Sequence, residues 1–249
     1  MTHRRIRIAL ALAGIGVAVL GGTQAAVAAG ESKPAPVSGD YNPHIDPANF
    51  VRKIDNRYLP FKPGIKAISK GVAEDGRAPQ RDIQVVTHRT REILGVRCRV
   101  VRDEITSRGK PVERTFNWYA QDKRGNVWYF GENSNDYRHG HWVKSEGSWE
   151  SGVGGAKAGI MMEAHPKRGD AYRQEYYRGH AEDQAKVLGD GRRVTVPYSS
   201  LRHTIATKET TRLEPGVVEK KWYARGVGEI KSQDVKGSKE ELQLVRLER

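Results

Sequence analysis

The sequence predicts a mainly β (α+β) fold, a curved antiparallel sheet or half-barrel, and three observations support this prediction. Short runs rich in β-branched and aromatic residues alternate apolar and polar positions through residues 65–132. Polar turns containing glycine separate these runs, at 107–110 and at 122–126. A Trp-Tyr-Ala sequence occurs in both halves of the chain. The sheet is therefore expected to combine two similar halves, about 65–132 and 170–249.

The first 28 residues have the pattern of a signal peptide. Three arginines precede an apolar stretch at 8–20, and small residues end in Ala-Val-Ala at 26–28. The apolar stretch is shorter than the ~20 residues that span a bilayer, so an uncleaved anchor is the weaker alternative. We expect a secreted or extracytoplasmic protein, exported by a Sec or a twin-arginine route. It is not expected to be lipid-anchored, because no cysteine follows the cleavage site.

A tether, a short helix and a single β-rich domain should follow the signal peptide. Residues 29–40 are polar and contain two prolines, which is typical of a flexible tether. The domain then covers 41–249. Within it, Asp46-Pro47 has the pattern of a helix N-cap followed by proline at the first helical position, and predicts a helix through about Ile54.

The second half repeats features of the first. Trp118-Tyr119-Ala120 and Trp222-Tyr223-Ala224 each have a strand-like run 17 residues before the tryptophan. Between the halves, residues 133–169 are rich in glycine and predict a long loop over one face of the sheet. Residues 181–187 fit a strand or a helical turn equally well.

Charge and cysteine content limit the function classes. Removal of the signal peptide takes away three arginines and leaves a net charge of +10, which attracts anionic polymers or anionic headgroups. An anionic wall polymer is therefore one expected partner, and a charge-held wall-adhesion protein is one functional hypothesis. The sequence has no signature of sequence-specific nucleic-acid binding. The single cysteine, Cys98, excludes an intramolecular disulfide and is predicted to be buried on a strand.

The aromatic residues are the most distinctive candidate binding site. If the sheet is concave, a ligand-binding surface would carry side chains from both Trp-Tyr-Ala strands and from the loop. The expected lining residues are Trp118, Trp128, Phe130 and Trp222, with Met161 and Met162 on the covering loop. They predict a non-enzymatic binding protein for an apolar or amphipathic cell-envelope component. The alternative is that these rings fill a core.

Catalysis is less well supported. A hydrolase acting on an envelope polymer would need an acid and a base, and Glu132, Glu146 and Glu150 are the candidates. No catalytic residue can be assigned, and no cofactor is expected. His139-Gly140-His141 resembles a hairpin turn more than a metal site, so no metal ligand is assigned.

Two motifs resemble an uncharacterised family of exported bacterial β-rich proteins. They are NPHIDPANF at 42–50 (NPxIDPxNF) and WYAQDKRGNVWYFGE at 118–132 (WYAQDxxGNVWYFGE). The resemblance implies an extracytoplasmic β-rich domain and carries over no catalytic residue. Members of the family tend to be more acidic, so the positive charge here is a departure. A looser similarity, in fold alone, is to the half-barrel sheets of lipoprotein carriers that hold apolar ligands.

Overall fold

The computed structural model describes residues 40–249. The predicted signal peptide and residues 29–39 of the predicted tether lie outside the described residues. Within the described part, sixteen strands form one antiparallel sheet. The strands are β1 (Phe50–Val51), β2 (Lys66–Val72), β3 (Pro79–Ile93), β4 (Val96–Ser107), β5 (Lys110–Asp122), β6 (Val127–Arg138), β7 (His141–Lys144), β8 (Trp149–Glu150), β9 (Lys157–Met162), β10 (Ala171–Arg173), β11 (Glu175–Tyr176), β12 (Asp183–Val196), β13 (Ser199–Thr211), β14 (Val218–Ala224), β15 (Gly228–Lys236) and β16 (Glu241–Glu248). No helix within residues 40–249 is long and apolar enough to cross a membrane.

The sheet curves until its two ends almost meet. Its order is β10-β12-β13-β14-β15-β16-β2-β3-β4-β5-β6-β9-β11. Since β10 and β11 are consecutive in the chain, one short segment pairs with β12 at one end of this order and with β9 at the other. Gly159 on β9 permits the close approach, because a Cβ atom there would lie 2.3 Å from the carbonyl group of Gln174. The predicted curved antiparallel sheet is confirmed.

Turn chemistry sets the hairpins that form most of the sheet. Arg108 and Gly109, between β4 and β5, have φ values of 52° and 74°, both in the left-handed region that two-residue hairpin turns require. In the turn between β5 and β6, the Asp122 carboxylate accepts hydrogen bonds from the N–H groups of Arg124 and Asn126, each at 2.9 Å. Both turns lie where the sequence predicts them. Cys98 is buried on β4, as expected.

The two Trp-Tyr-Ala segments occupy corresponding strands, β5 and β14. In each, the register with the following strand shifts between the tryptophan and the tyrosine. The preceding strands pair differently, because Trp118 lies opposite Val100 whereas Trp222 lies opposite Ala206. The tryptophan therefore faces a residue 18 positions upstream in one copy and 16 in the other. The equal spacing of 17 seen in the sequence does not correspond to equal register.

The helix predicted from Asp46 is a single 3-10 turn, Pro47–Asn49. Its start is as predicted, since the Asp46 carboxylate accepts the Ala48 N–H at 2.9 Å. The turn ends at Phe50, which begins β1 and pairs with β5. The Phe50 ring packs against Phe130, with centroids 5.5 Å apart. Strand pairing and aromatic packing thus replace the second and third helical turns.

Residues 133–169 are not one long loop. β6 continues to residue 138, and β7, β8 and β9 all lie within the segment. Three glycines with positive φ, Gly152, Gly154 and Gly155, form the turn between β8 and β9. The glycine content therefore marks short turns between strands rather than a covering loop. The undecided residues 181–187 contain the start of β12.

Apolar side chains are buried on both faces of the sheet. Inside the curve, an inner core includes Val101, Tyr119, Tyr129, Tyr172 and Tyr223. On the outside, a second cluster, the outer cluster, is covered by Ile45 and Phe50. Its buried members are Ile93, Val96, Cys98, Val100, Trp118, Ala120, Phe130 and Ala158. The inner core fills only part of the space that the sheet encloses.

Candidate functional site

The remaining enclosed space is a cavity of about 260 Å³ with a strongly acidic lining. Thirty-two residues line it, and side chains from almost every long strand take part. Twelve of them are carboxylates: Glu74, Asp82, Asp103, Glu113, Glu132, Glu175, Asp183, Glu214, Glu219, Glu229, Asp234 and Glu240. Among the lining residues, Lys221 is the only lysine or arginine and His180 the only histidine.

The alternation of β5 shows how the wall is built. Glu113, Thr115, Asn117 and Tyr119 are two positions apart and all line the cavity, because successive side chains of a strand point to opposite faces. The residues between them, including Trp118, lie on the outer face. Every second position of this strand is therefore a lining position, and three of the four are polar.

Hydrogen bonds hold the wall side chains in place. The Asn117 amide donates to the Asp103 carboxylate at 2.6 Å, across the β4–β5 pair. The Tyr129 hydroxyl lies 2.6 Å from both the Asn117 amide oxygen and the Glu132 carboxylate. Burial, followed by the nearby Glu132 carboxylate, raises the pKa of Tyr129 well above its ordinary value, so the phenol keeps its proton.

Lys221 supplies the positive charge of the cavity. Its ammonium group lies 2.9 Å from the buried Glu209 carboxylate and 3.3 Å from Glu219. Burial lowers the pKa of Lys221, but the facing carboxylates Glu209, Glu219 and Glu229 outweigh burial and raise it well above the ordinary value. The Tyr223 hydroxyl donates to Glu209 at 3.3 Å. Lys221 therefore keeps its proton at neutral pH.

Several lining carboxyl groups hold their protons unusually strongly. Burial raises the pKa of Asp183 to about 7 and that of Glu219 to about 8, with neighbouring carboxylates adding to the effect and Lys221 opposing it. Burial, then Asp183 and Glu132, raises the pKa of Glu175 well above its ordinary value. The charge of the cavity therefore becomes more negative as the pH rises through neutrality.

An aromatic stack forms the apolar side of the cavity. Tyr119 and Tyr129 are stacked with ring centroids 4.8 Å apart, and both line the cavity together with Met161. Phe61 packs tilted against Tyr119 with centroids 4.6 Å apart, and Trp149 packs edge-to-face with Tyr129 at 5.3 Å, both within the inner core. A bound molecule would thus meet the two tyrosines and Met161 as well as the carboxylates.

The structure separates the six predicted binding residues. Met161 lines the cavity, whereas Met162 is fully buried in the inner core. Both lie on β9 rather than on a covering loop.

The four aromatic residues lie elsewhere. Trp118 and Phe130 are buried in the outer cluster, and half-buried Trp128 packs against it. The Trp128 indole donates to the Asp122 carboxylate at 3.0 Å. Trp222 is half-buried against a third small cluster, with the Lys220 ammonium 4.6 Å from its ring centroid. None of these four lines the cavity, because strand alternation puts the adjacent tyrosines inside.

The three candidate acid–base residues also separate. Glu132 lines the cavity. Glu150 pairs with Arg91 at 2.5 Å outside it, and Glu146 is exposed. His139 and Gly140 form the exposed turn between β6 and β7, and the exposed His141 begins β7, so the predicted hairpin turn is confirmed. Within residues 40–249, no three His, Cys, Asp or Glu side chains are grouped so that they could hold a metal ion.

The fold separates the charges of the protein. Residues 40–249 contain 39 Lys and Arg and 29 Asp and Glu. The cavity lining takes twelve of the acids and one lysine, so the other described residues carry a net charge of +21. The sequence indicated a polar face of the sheet through alternating polar residues, such as Glu113-x-Thr115-x-Asn117. Nothing in that pattern indicated which face would be enclosed.

Comparison with known proteins gives similarity of fold shape only. No family model and no curated protein matches the sequence. A Bacteroides fragilis protein described as exported, with a YmcC-like fold, has 13% sequence identity and a TM-score of 0.46. A Parabacteroides distasonis protein described as a lipoprotein has 10% identity and a TM-score of 0.39. Each comparison covers 78% of this chain and 100% of the other.

Proposed function

We propose that this is an exported binding protein whose cavity takes a small cationic molecule, or the cationic head of an amphipathic one. The observation that carries the proposal is the acidic lining, twelve carboxylates against one lysine in a chain of positive net charge. Charges facing each other across a poorly hydrated space interact more strongly than on a surface. A cation entering the cavity would relieve the mutual repulsion of these carboxylates.

The size and the aromatic side narrow the ligand class. A volume of about 260 Å³ is below the ~300–1,000 Å³ of most ligand pockets, and so favours a small molecule or one end of a larger one. Tyr119 and Tyr129 line the same cavity and pack face to face on each other, so they offer apolar ring edges beside the carboxylates. An alkylamine matches both the carboxylates and the rings.

A wholly apolar ligand is a poor match for the same cavity. It would displace water from carboxylates without replacing their hydrogen bonds, which costs free energy for each group. We therefore no longer propose a wholly apolar ligand. Of the two ligand classes expected from the sequence, we retain the amphipathic one and propose that its head group is positively charged.

The first experiment is calorimetric titration of the mature protein with spermidine at pH 8.5 and low salt. We expect saturable binding that is lost when Glu132→Gln and Glu219→Gln are combined. The matched control is Glu146→Gln with Glu150→Gln, which removes two charges outside the cavity lining and should leave binding unchanged. 1,4-Butanediol, the neutral counterpart of the diaminobutane part of spermidine, should not bind. Equal loss in both double variants would overturn the proposal.

Native mass spectrometry of protein purified from its own envelope tests the natural ligand. We expect an added mass that disappears on denaturation and belongs to an amine. An added mass from a neutral lipid would contradict the cationic class while leaving a binding function in place.

A hydrolase is the second candidate. The observation in its favour is that Asp183, whose pKa burial raises to about 7, lines the same cavity as Glu132, so a group that can donate a proton near neutral pH shares the cavity with a second carboxyl group. Under this hypothesis Glu132→Gln would abolish turnover of envelope polymers while binding persists. Loss of binding without any turnover in the wild type would favour the binding protein.

A further inference from the structure

A row of positively charged side chains crosses the outer face of the sheet. We call it the outer cationic band and define it by its six members, which are Lys70, Arg81, Lys186, Lys208, Lys220 and Lys231. Each is adjacent in sequence to an inward-facing residue. Lys186, for example, lies between Ala185 and Val187 of the inner core, and Lys70 follows the lining residue Ser69. Strand alternation therefore directs the members outward.

The strand register brings the members of the band together. Lys186 lies directly opposite Lys208, and Lys208 lies directly opposite Lys220. On the other side of the band, Lys70 lies directly opposite Arg81. Directly opposite residues have Cβ atoms ~5 Å apart, and like charges in such pairs destabilise a sheet. The fold therefore carries three repulsive pairs at one level of its outer surface.

Few anions of the protein itself neutralise the band. Lys231 pairs with Glu241 at 3.0 Å, and Lys220 and Lys231 lie over the Trp222 ring. Lys70, Lys186 and Lys208 are exposed, and none of them forms an ion pair with another described residue. Half of the band is thus available to a partner.

Strand pairing through β16 joins the two ends of the band. Lys231 lies opposite Gln243, and Gln243 lies opposite Lys70. The band therefore runs from β12 to β3 across seven neighbouring strands. With ~4.8 Å between strands, it follows an arc of ~29 Å. Because the outer face of a closed sheet is convex, the side chains diverge along this arc.

We infer that the outer cationic band binds a linear polyanion bearing phosphate groups. A flexible chain can follow a convex arc and contact all the members, whereas a flat membrane surface touches only the few strands nearest to it. Five of the six members are lysines, which bind phosphate as point charges without requiring one orientation. The inference concerns the outer face and is independent of the ligand proposed for the cavity.

The test compares two triple variants with equal charge loss. The band variant is Lys70→Gln, Lys186→Gln and Lys208→Gln, and the control variant is Lys53→Gln, Lys110→Gln and Lys144→Gln. All six lysines are exposed. The probe is long-chain inorganic polyphosphate, titrated at several salt concentrations, with tripolyphosphate as the short form.

We expect the wild type to bind the long chain more tightly than tripolyphosphate. The band variant should lose about tenfold or more in affinity, and the slope of log K against log salt should fall by ~2–3, about one for each phosphate contact removed. The control variant should stay within about twofold of the wild type. In the absence of polyanion, the band variant should melt at a higher temperature, which also shows that it folds.

Three results would overturn the inference. Equal losses in the two triple variants would mean that net charge alone attracts the polymer. Equal affinity for long polyphosphate and tripolyphosphate would mean a single phosphate site rather than a band. Band-dependent binding to vesicles of phosphatidylglycerol and phosphatidylcholine in equal parts, without binding to polyphosphate, would replace the polymer by a membrane surface.

Discussion

Asp183 allows the acidic cavity to be tested through stability, without any ligand. Burial, reinforced by neighbouring carboxylates, raises the pKa of its carboxyl group from 3.8 to about 7. The folded state therefore binds more protons than the unfolded state between pH ~4 and ~7, and the free energy of unfolding falls as the pH rises through this range. Above pH 7 the ionised Asp183 destabilises the folded protein. Asp183→Asn cannot ionise and should avoid this loss.

The size of the expected stability difference follows from the raised pKa of Asp183. One pKa unit corresponds to about 1.4 kcal/mol, so the difference between 3.8 and about 7 corresponds to ~4 kcal/mol. The side chain is half-buried, and solvent screening reduces the effect, so we expect about 2 kcal/mol. Asp183→Asn should therefore match the wild type at pH 4 and exceed its unfolding free energy by about this amount at pH 8.5.

Urea denaturation of both proteins at pH 4, 5.5, 7 and 8.5 measures the difference. Glu248→Gln is the control, because a hydrogen bond from Lys66 lowers the pKa of Glu248 and gives its charge the opposite effect. Relative to the wild type at the same pH, Glu248→Gln should not become more stable as the pH rises. If Asp183→Asn is less stable than the wild type at pH 8.5, or differs from it equally at all four pH values, the reasoning about the cavity is wrong.

Three further predictions concern the sheet, the ion cluster and the outer face. Gly159→Ala should lower the free energy of unfolding by about 2 kcal/mol or more, because the new methyl group meets the Gln174 backbone where the sheet closes. Chemical denaturation measures this change. An unchanged denaturation midpoint would contradict the close approach of β9 to Gln174. Lys221→Met should cost about 3 kcal/mol at neutral pH, because it leaves Glu209 buried without its cation. Equal or greater stability of the variant in chemical denaturation would contradict a stabilising role for this ion pair. Lys208→Gln should add ~0.2–1 kcal/mol at low salt by removing two like-charge contacts, and a gain that persists at 1 M salt would point to another cause.

The sequence predicted the sheet well because local chemistry determines it. The turns at 107–110 and 122–126 depend on residues that lie within them, and strand alternation is a property of each segment alone. The prediction of a helix from Asp46 to about Ile54 was wrong, because pairing of Phe50 with β5, more than 70 residues away in the chain, determines the local structure. The prediction of one long loop over residues 133–169 was wrong, because glycine is frequent both in long loops and in tight turns between short strands.

The candidate site could not be predicted, because alternation defines two faces without saying which one is enclosed. The usual rule places aromatic residues inside, and Trp118, Phe130 and Tyr129 all fit a core. Here the part of the outer face that carries the outer cluster is also covered, by residues 41–51, so apolar side chains are buried on both sides. The enclosed face could then accept carboxylates, since the outer cluster and the inner core together supply the apolar burial that the fold requires.

The two charged faces have a common physical consequence. Each holds like charges close together at a cost to stability, the carboxylates inside and the cationic band outside. A ligand that binds only the folded state adds RT ln(1 + [L]/Kd) to its stability. Spermidine and long-chain polyphosphate should therefore each raise the melting temperature, provided that they are compared at concentrations where they do not bind each other. If the sheet between them is rigid, the two increases should add. A combined increase well below the sum would mean that the ligands compete or that the wall shared by both faces, above all β14 with Lys220 outside and Lys221 inside, couples the two sites.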